Sequence, residues 1–182
     1  MKTLKTSRSV LHLTNGNILA HPSESVWGLG VDPLNEAALN KLIALKGRPP
    51  KHGFIVIASS WMQLEDWLTP LNEQEKAILN EPTKHPISWI IPIQKKLPKT
   101  LTGDRDSLAC RVTKHPPLKK LCEHFGPMVS TSANPHGETP AKSSLQISMY
   151  FGEQVAILDG PLGSETRPSR IIDLKSSTII RE

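Results

Sequence analysis

The sequence predicts an α+β fold, with helices layered over a mixed sheet, and three observations carry that prediction. Short Val- and Ile-rich runs are apolar at successive positions, as strands buried on both faces are. Segments with helical spacing of apolar residues separate these runs. No repeat, low-complexity tract or linker interrupts the 182 residues, so 1–182 is expected to form one domain.

Taken in chain order, NILAH (17–21), FIVIAS (54–59), ISWIIPI (87–93) and SLACRV (107–112) read as strands. PMVST (127–131), QVAILD (154–159), RIIDL (170–174) and TIIR (178–181) complete the set. NEAALNKLIALKG (35–47) sets Leu39, Leu42, Ile43 and Lys46 at helical spacing, with Asn35 as N-cap and Gly47 beyond the last turn. Ser60 with Gln63, and Asn72 with Glu75, resemble capping boxes opening helices in WMQLEDWL and NEQEKAIL. HPPLKKLCEHFG (115–126) aligns Leu118, Leu121, Cys122 and Phe125 on one face and stops at Gly126.

Composition narrows the function classes. No run approaches the roughly 18 apolar residues of a membrane span, and MKTLKTSRSV lacks the apolar stretch of a signal peptide, so a cytoplasmic protein with no membrane partner is expected. Cys110 and Cys122 form no CxxC and the histidines fall in no zinc spacing, which predicts two reduced thiols, in the core or half-buried, and no protein-bound metal. Lys plus Arg number 22 against 17 Asp plus Glu, a net charge of +5, with clusters at Lys95, Lys96 and Lys99 and at Lys114, Lys119 and Lys120. Such clusters suit RNA or another polyanion, or serve solubility alone.

Three stretches could carry chemistry. HPSESVWGLGVDP (21–33) offers Gly28 and Gly30, but Pro33 occupies the third position of a GxGxxG pattern and no P-loop occurs. In KGRPP (46–50), Arg48 precedes a proline and is pushed toward extended backbone, so Lys46 and Arg48 either converge as a triphosphate clamp or stay a helix-terminal charge and a solvated one. In VSTSANPHGETPA (129–141), Ser130, Ser132 and Asn134 would point one way as the strand leaves the sheet, with Thr131 toward the core. Neutral hydroxyls and amides there bind phosphate, ribose or an amino acid, or else form a turn before a helix capped by Thr139. With no GxSxG elbow and no paired nucleophile, an enzyme of this sequence would work by positioning and electrostatics.

Taken in order, PSESVWGLGVD, LKGRP, SLACRV, STSAN followed by Gly137, and PSRIIDL resemble the YrdC/Sua5 family of threonylcarbamoyl-AMP synthases, in its short bacterial form, over positions 18–181. The resemblance implies a YrdC-like fold: a twisted mixed parallel and antiparallel sheet flanked by helices around a basic concave surface. It implies a nucleotidyltransferase that converts L-threonine, bicarbonate or CO2, and ATP to L-threonylcarbamoyladenylate and pyrophosphate, with Mg2+ on the phosphates. It also implies partners: proteins that transfer the threonylcarbamoyl group to adenosine 37 of tRNAs reading codons that begin with A, and RNA on the basic surface. By the same resemblance Lys46 and Arg48 are catalytic and hold ATP together with Ser88, Ser130, Ser132, Asn134 and Arg181, while Ser23, Arg111 and Ser169 lie toward threonine.

The departures from the family pattern carry expectations of their own. Ser23 stands for the usual threonine and Trp27 for a smaller aromatic. His85 replaces a glycine of Pro-Gly-Pro, predicting a narrower nucleotide site, and His136 adds an imidazole at the rim. Two rivals remain at this level: a non-catalytic RNA-binding module, and a relative that makes carbamoyl-adenylate.

Overall fold

The computed structural model describes Met1–Glu182, the side chain of Pro50 excepted. The strands are β1 (Thr3–Leu4), β2 (Leu19–His21), β3 (Gly28–Gly30), β4 (Ile55–Ala58), β5 (Ile87–Pro92) and β6 (Ser107–Val112), then β7 (Met128–Ser132), β8 (Ala156–Leu158), β9 (Arg170–Asp173) and β10 (Ile179–Arg181). The helices are α1 (Thr6–Thr14), α2 (Glu36–Lys46), α3 (Glu73–Asn80), α4 (Lys99–Thr102), α5 (Pro116–Phe125) and α6 (Ser144–Phe151). All strands join one ten-stranded sheet in the order β1-β8-β2-β3-β7-β4-β6-β5-β9-β10. Its pairs are mixed as expected: β4 with β6 and β5 with β9 run parallel, whereas β3 with β7 and β4 with β7 run antiparallel.

Adjacent residues of the central strands enter different cores. Ala20, Val56, Val129 and Ile157 join Leu39 and Leu42 of α2 and Ile147 and Phe151 of α6. Leu19, Ile57, Met128 and Leu158 join Leu13 of α1 with Leu118, Leu121 and Cys122 of α5. Cover on both faces explains why these strands read as continuous apolar runs. Both cysteines are buried and free.

The capping signals predict the helix starts unevenly. Asn35 accepts the Ala38 N–H at 3.0 Å, and Gly47 ends α2 in the left-handed region at φ 61. Asn72 and Glu75 complete a capping box on α3, both bonds at 2.9 Å. WMQLEDWL instead forms only a 3₁₀ turn over Trp61–Leu64, because Gln63 turns its side chain to the Ser59 N–H and the Cys122 carbonyl. The helix expected after Thr139 begins at Ser144, capped by Ser143. Four elements fall outside the sequence reading: β1 and α4 are only two and four residues long, α1 lacks an acidic first turn and any side-chain N-cap bond, and β3 is Gly-Leu-Gly.

The glycines of β3 serve close approach. His21 on β2 pairs directly with Gly28 and is fully buried; a Cβ at Gly28 would lie 2.5 Å from the His21 ring, and one at Gly30 would lie 2.9 Å from the Val129 carbonyl. The ring therefore occupies space that only glycine leaves open. Gly28→Ala is expected to lower stability by about 1–3 kcal/mol, the usual range for overpacking. Urea unfolding of Gly28→Ala, His21→Ala and the double variant should show a strongly sub-additive cost, and strict additivity would rule out the His21 contact as the cause.

Candidate functional site

A cleft of about 550 Å³ crosses the sheet, floored by alternate residues of its strands. On β6, Ser107, Ala109 and Arg111 face the cleft while Leu108 and Cys110 face the core, and on β7 Ser130 and Ser132 face it together. Burial pushes the Cys110 thiol up, so it stays an inert thiol. Arg48, Arg105, Arg111 and Arg181 border the cleft, and among the described residues no Asp or Glu does. The lysine clusters of the sequence lie elsewhere: Lys95 sits 5.8 Å over the Trp67 ring and Lys99 pairs with Asp104 at 3.2 Å.

Arg48 is held by neutral groups. Its Nη1 donates to Thr131 Oγ1 at 3.2 Å, its Nη2 to the Gly53 carbonyl at 2.9 Å, and its guanidinium stacks 5.0 Å over the Phe54 ring. Burial, then the charge of Arg181, holds its pKa below the ordinary arginine value. Thr131, expected to face the apolar core, thus ends against Arg48 and borders the cleft.

Lys46 does not share that side. Gly47 turns the chain at the end of α2, so Lys46 runs beneath the β7 exit loop and donates to the carbonyls of Ser132 and, at 2.6 Å, Asn134. It is 5 % exposed, and burial followed by the charge of Arg48 pushes its amine down to about 8. The clamp expected from KGRPP is therefore divided, with Arg48 bordering the cleft and Lys46 behind its wall.

At the other end, Arg111 Nη2 meets Glu24 Oε2 at 2.9 Å, and Thr113 Oγ1 donates to Glu24 Oε1 at 2.7 Å. Burial alone would raise the Glu24 pKa, but Arg111 and Thr113 hold it below the usual carboxylate value. Arg111 Nε is buried without a partner among the described residues. Ser23 Oγ donates to the Val26 carbonyl at 2.6 Å, and Arg181 Nη2 donates to the Ser169 carbonyl at 2.7 Å.

Ser23, Arg48, Arg111, Ser130, Ser132, Ser169 and Arg181 are thus brought to one cleft. Three other expected residues stand behind it. Ser88 is fully buried and bonded to Ser169 Oγ at 2.9 Å, and Asn134 donates Nδ2 to the Pro135 and Glu138 carbonyls, folding its amide into its own loop. His85 does not narrow the cleft; its Nδ1 lies 2.9 Å from Glu165 Oε2, outside the lining. His136 likewise stays off the lining, its N–H on the Lys46 carbonyl at 2.7 Å. Sequence reasoning missed Glu24, Phe54, His52 and Arg105. Only Glu24 had a signal, as the acidic neighbour of Ser23 in a loop that also needs a buried arginine's counter-charge.

No group of three or more His, Cys, Asp or Glu among the described residues could hold a metal ion. No helix among them is long and apolar enough to cross a membrane.

Comparison with known proteins identifies the family and the fold. The family model for Sua5, yciO and yrdC, described as "Telomere recombination", matches residues 12–182. A protein named threonylcarbamoyl-AMP synthase from Chromohalobacter salexigens is 47% identical over 174 residues, covering 95% of this chain and 94% of that one. One of the same name from Pseudomonas aeruginosa is 44% identical over 167 residues, 91% of this chain and 90% of its own. Among solved structures, P. abyssi Sua5 complexed with L-threonine superposes with a TM-score of 0.86 at 25% identity over 94% of this chain, which spans only 53% of that protein. E. coli YciO, at 22% identity and a TM-score of 0.82, shares the fold.

The buried Glu24–Arg111 pair generates a stability prediction. Because the folded pKa of Glu24 is lowered, its contribution is fully present above the ordinary glutamate value of about 4.3 and is lost as pH falls through the folded value. Glu24→Gln strands a buried guanidinium and should cost about 3 kcal/mol at pH 7. Denaturant titrations from pH 7 to pH 3 should show the gap to wild type narrowing below about pH 4; a gap independent of pH would refute the ion pair's role.

Proposed function

The chain belongs to the Sua5/YciO/YrdC family and carries the activity of a threonylcarbamoyl-AMP synthase; on that premise we propose that its arginine-lined cleft performs the reaction by positioning and charge stabilisation. L-Threonine, bicarbonate or CO2, and ATP give L-threonylcarbamoyladenylate and pyrophosphate. The observation that supports this reading is a cleft with four arginines, several hydroxyls and no lining carboxylate.

The threonine amine captures CO2 and loses a proton, giving a carbamate. A carbamate oxygen then attacks the α-phosphorus of ATP, and pyrophosphate leaves. No protein nucleophile takes part, so the side chains act on charge and geometry. Arg48 and Arg181, each lowered in pKa by burial and by neighbouring arginines, take the triphosphate, whose negative charge removes their mutual repulsion. Ser130 and Ser132 supply neutral hydroxyls to the nucleotide. Ser23, Arg111 and Ser169 meet threonine, with Glu24 fixing the Arg111 fork for the carboxylate. Lys46, Ser88 and Asn134 act from behind: Lys46 ties the Ser132 and Asn134 carbonyls to α2, and Ser88 orients Ser169. The lining offers Mg2+ no carboxylate, so its ligands would be phosphate oxygens, whose charge it would neutralise.

The adenylate then passes, in the cytoplasm, to proteins that transfer threonylcarbamoyl to adenosine 37 of tRNA, with RNA as a further partner of this basic chain.

Pyrophosphate release dependent on threonine, bicarbonate and ATP tests the reading, with serine and carbamoyl phosphate as competing substrates. Arg48→Ala should lower turnover by roughly 10²-fold, as loss of one transition-state donor does, while unfolding at the wild-type temperature. Lys46→Ala should lower it too. Undiminished turnover in Arg48→Ala would sink the triphosphate assignment, and release driven by carbamoyl phosphate alone would replace threonine as substrate.

A further inference from the structure

His85 departs from the family pattern, and the cleft leaves it unused. Its partner Glu165 lies in residues 160–169, which form no helix or strand. This strap crosses the loop that carries Ser23 and Glu24: the Gly163 N–H donates to the Ser23 carbonyl at 2.9 Å, and the Glu165 N–H to the Glu24 carbonyl at 2.8 Å. A Cβ at Gly163 would come within 2.5 Å of the Glu24 carbonyl oxygen, so strap and loop lie in direct backbone contact. Each end is anchored. His115 Nε2 donates to the Pro161 carbonyl at 3.0 Å, and Ser169 is held by Ser88 and Arg181.

Between those anchors, the side-chain hydrogen bond that reaches residues 162–168 among the described residues comes from His85. A glycine at position 85 could not make it. The strap's far end delivers Pro168 and Ser169 to the cleft, and its middle grips the backbone of Ser23 and Glu24. Lifting the strap would therefore displace Ser169 and Ser23 together.

We propose that the His85–Glu165 pair is a latch that holds this strap against the Ser23–Glu24 loop and so sets the affinity for the amino-acid substrate. His85 and Glu165 are positioning residues that touch neither substrate. The inference rests on the reading that Ser23, Arg111 and Ser169 meet threonine.

Steady-state pyrophosphate release tests it in wild type, His85→Leu, Glu165→Ala, the double variant and His85→Lys, with hydrogen exchange of the Gly163 and Glu165 amides measured in the same proteins. Each single variant should raise the threonine KM by roughly two- to five-fold, as loss of a half-exposed side-chain pair allows, with kcat and the ATP KM unchanged. The double variant should be no worse than either single one, His85→Lys should keep the wild-type KM, and the two amides should exchange faster wherever KM rises. An unchanged threonine KM in Glu165→Ala, an equal rise in the ATP KM, or a KM rise without faster exchange each overturns the latch. If wild type releases no threonine-dependent pyrophosphate, the reading of the cleft fails instead, and exchange alone decides the latch: faster in both single variants supports it, unchanged overturns it.

Discussion

Among the four arginines that border a cleft whose lining holds no carboxylate, Arg48, Arg111 and Arg181 are coupled by charge, and much of the surrounding structure serves to keep them there. Arg48 is lowered in pKa by Arg181, and Arg181 by Arg111, after the larger effect of burial. Like charges in a partly desolvated cleft repel more strongly than they would in water. The chain offsets that repulsion with neutral acceptors: Thr131 and the Gly53 carbonyl for Arg48, the Ser169 carbonyl for Arg181. Only Arg111 has a carboxylate, and Glu24 reaches it from outside the lining. A polyanion entering the cleft thus meets preorganised donors whose own counter-charges do not compete with it.

Holding such donors still requires a rigid floor. On β6, Leu108 and Cys110 pack into the core on one face, which leaves Ser107, Ala109 and Arg111 on the other face for the cleft. The wall beyond β7 is a loop, and Lys46 compensates by joining its carbonyls to the end of α2. Buried polar groups tolerate this only when bonded, and Lys46 finds two carbonyl acceptors beneath that loop.

The legibility of the molecule in its sequence follows the same division. The central strands β2, β4, β7 and β8 were readable because double burial writes itself as consecutive apolar residues. By contrast β9 and β10, expected to be as buried, lie at the sheet edge, β9 largely half-buried and β10 exposed. Helices α2 and α3 were readable because Asn35, Gly47, Asn72 and Glu75 form backbone bonds that few other residues could. Gly28–Gly30 was unreadable as a strand, because its glycines answer to a histidine ring on the neighbouring strand and not to any local preference. At the site, the period-two pattern of Ser130 and Ser132 identified which side chains share a face. It could not reveal that Lys46 and Arg48, two residues apart, part company across Gly47, nor that the Asn134 amide closes on its own loop. The course of Lys46 depends on acceptors 86 and 88 positions away, which no local window contains, whereas the Asn134 bonds are local and were missed because a turn's side-chain geometry leaves no mark in periodicity.

The behaviour of Lys46 also explains why the cleft is lined by arginine. Buried beside Arg48, its amine falls to about 8, so a lysine placed among these guanidinium groups would lose part of its charge just above neutral pH. Arginine starts so high that a comparable lowering leaves it fully charged. Its planar fork can also hold a neutral protein acceptor with one nitrogen and present another to phosphate or carboxylate, whereas an ammonium tied to two carbonyls has little left to offer a ligand. The division of labour between Lys46 behind the wall and the arginines on the lining is therefore a consequence of crowding cations into one desolvated space.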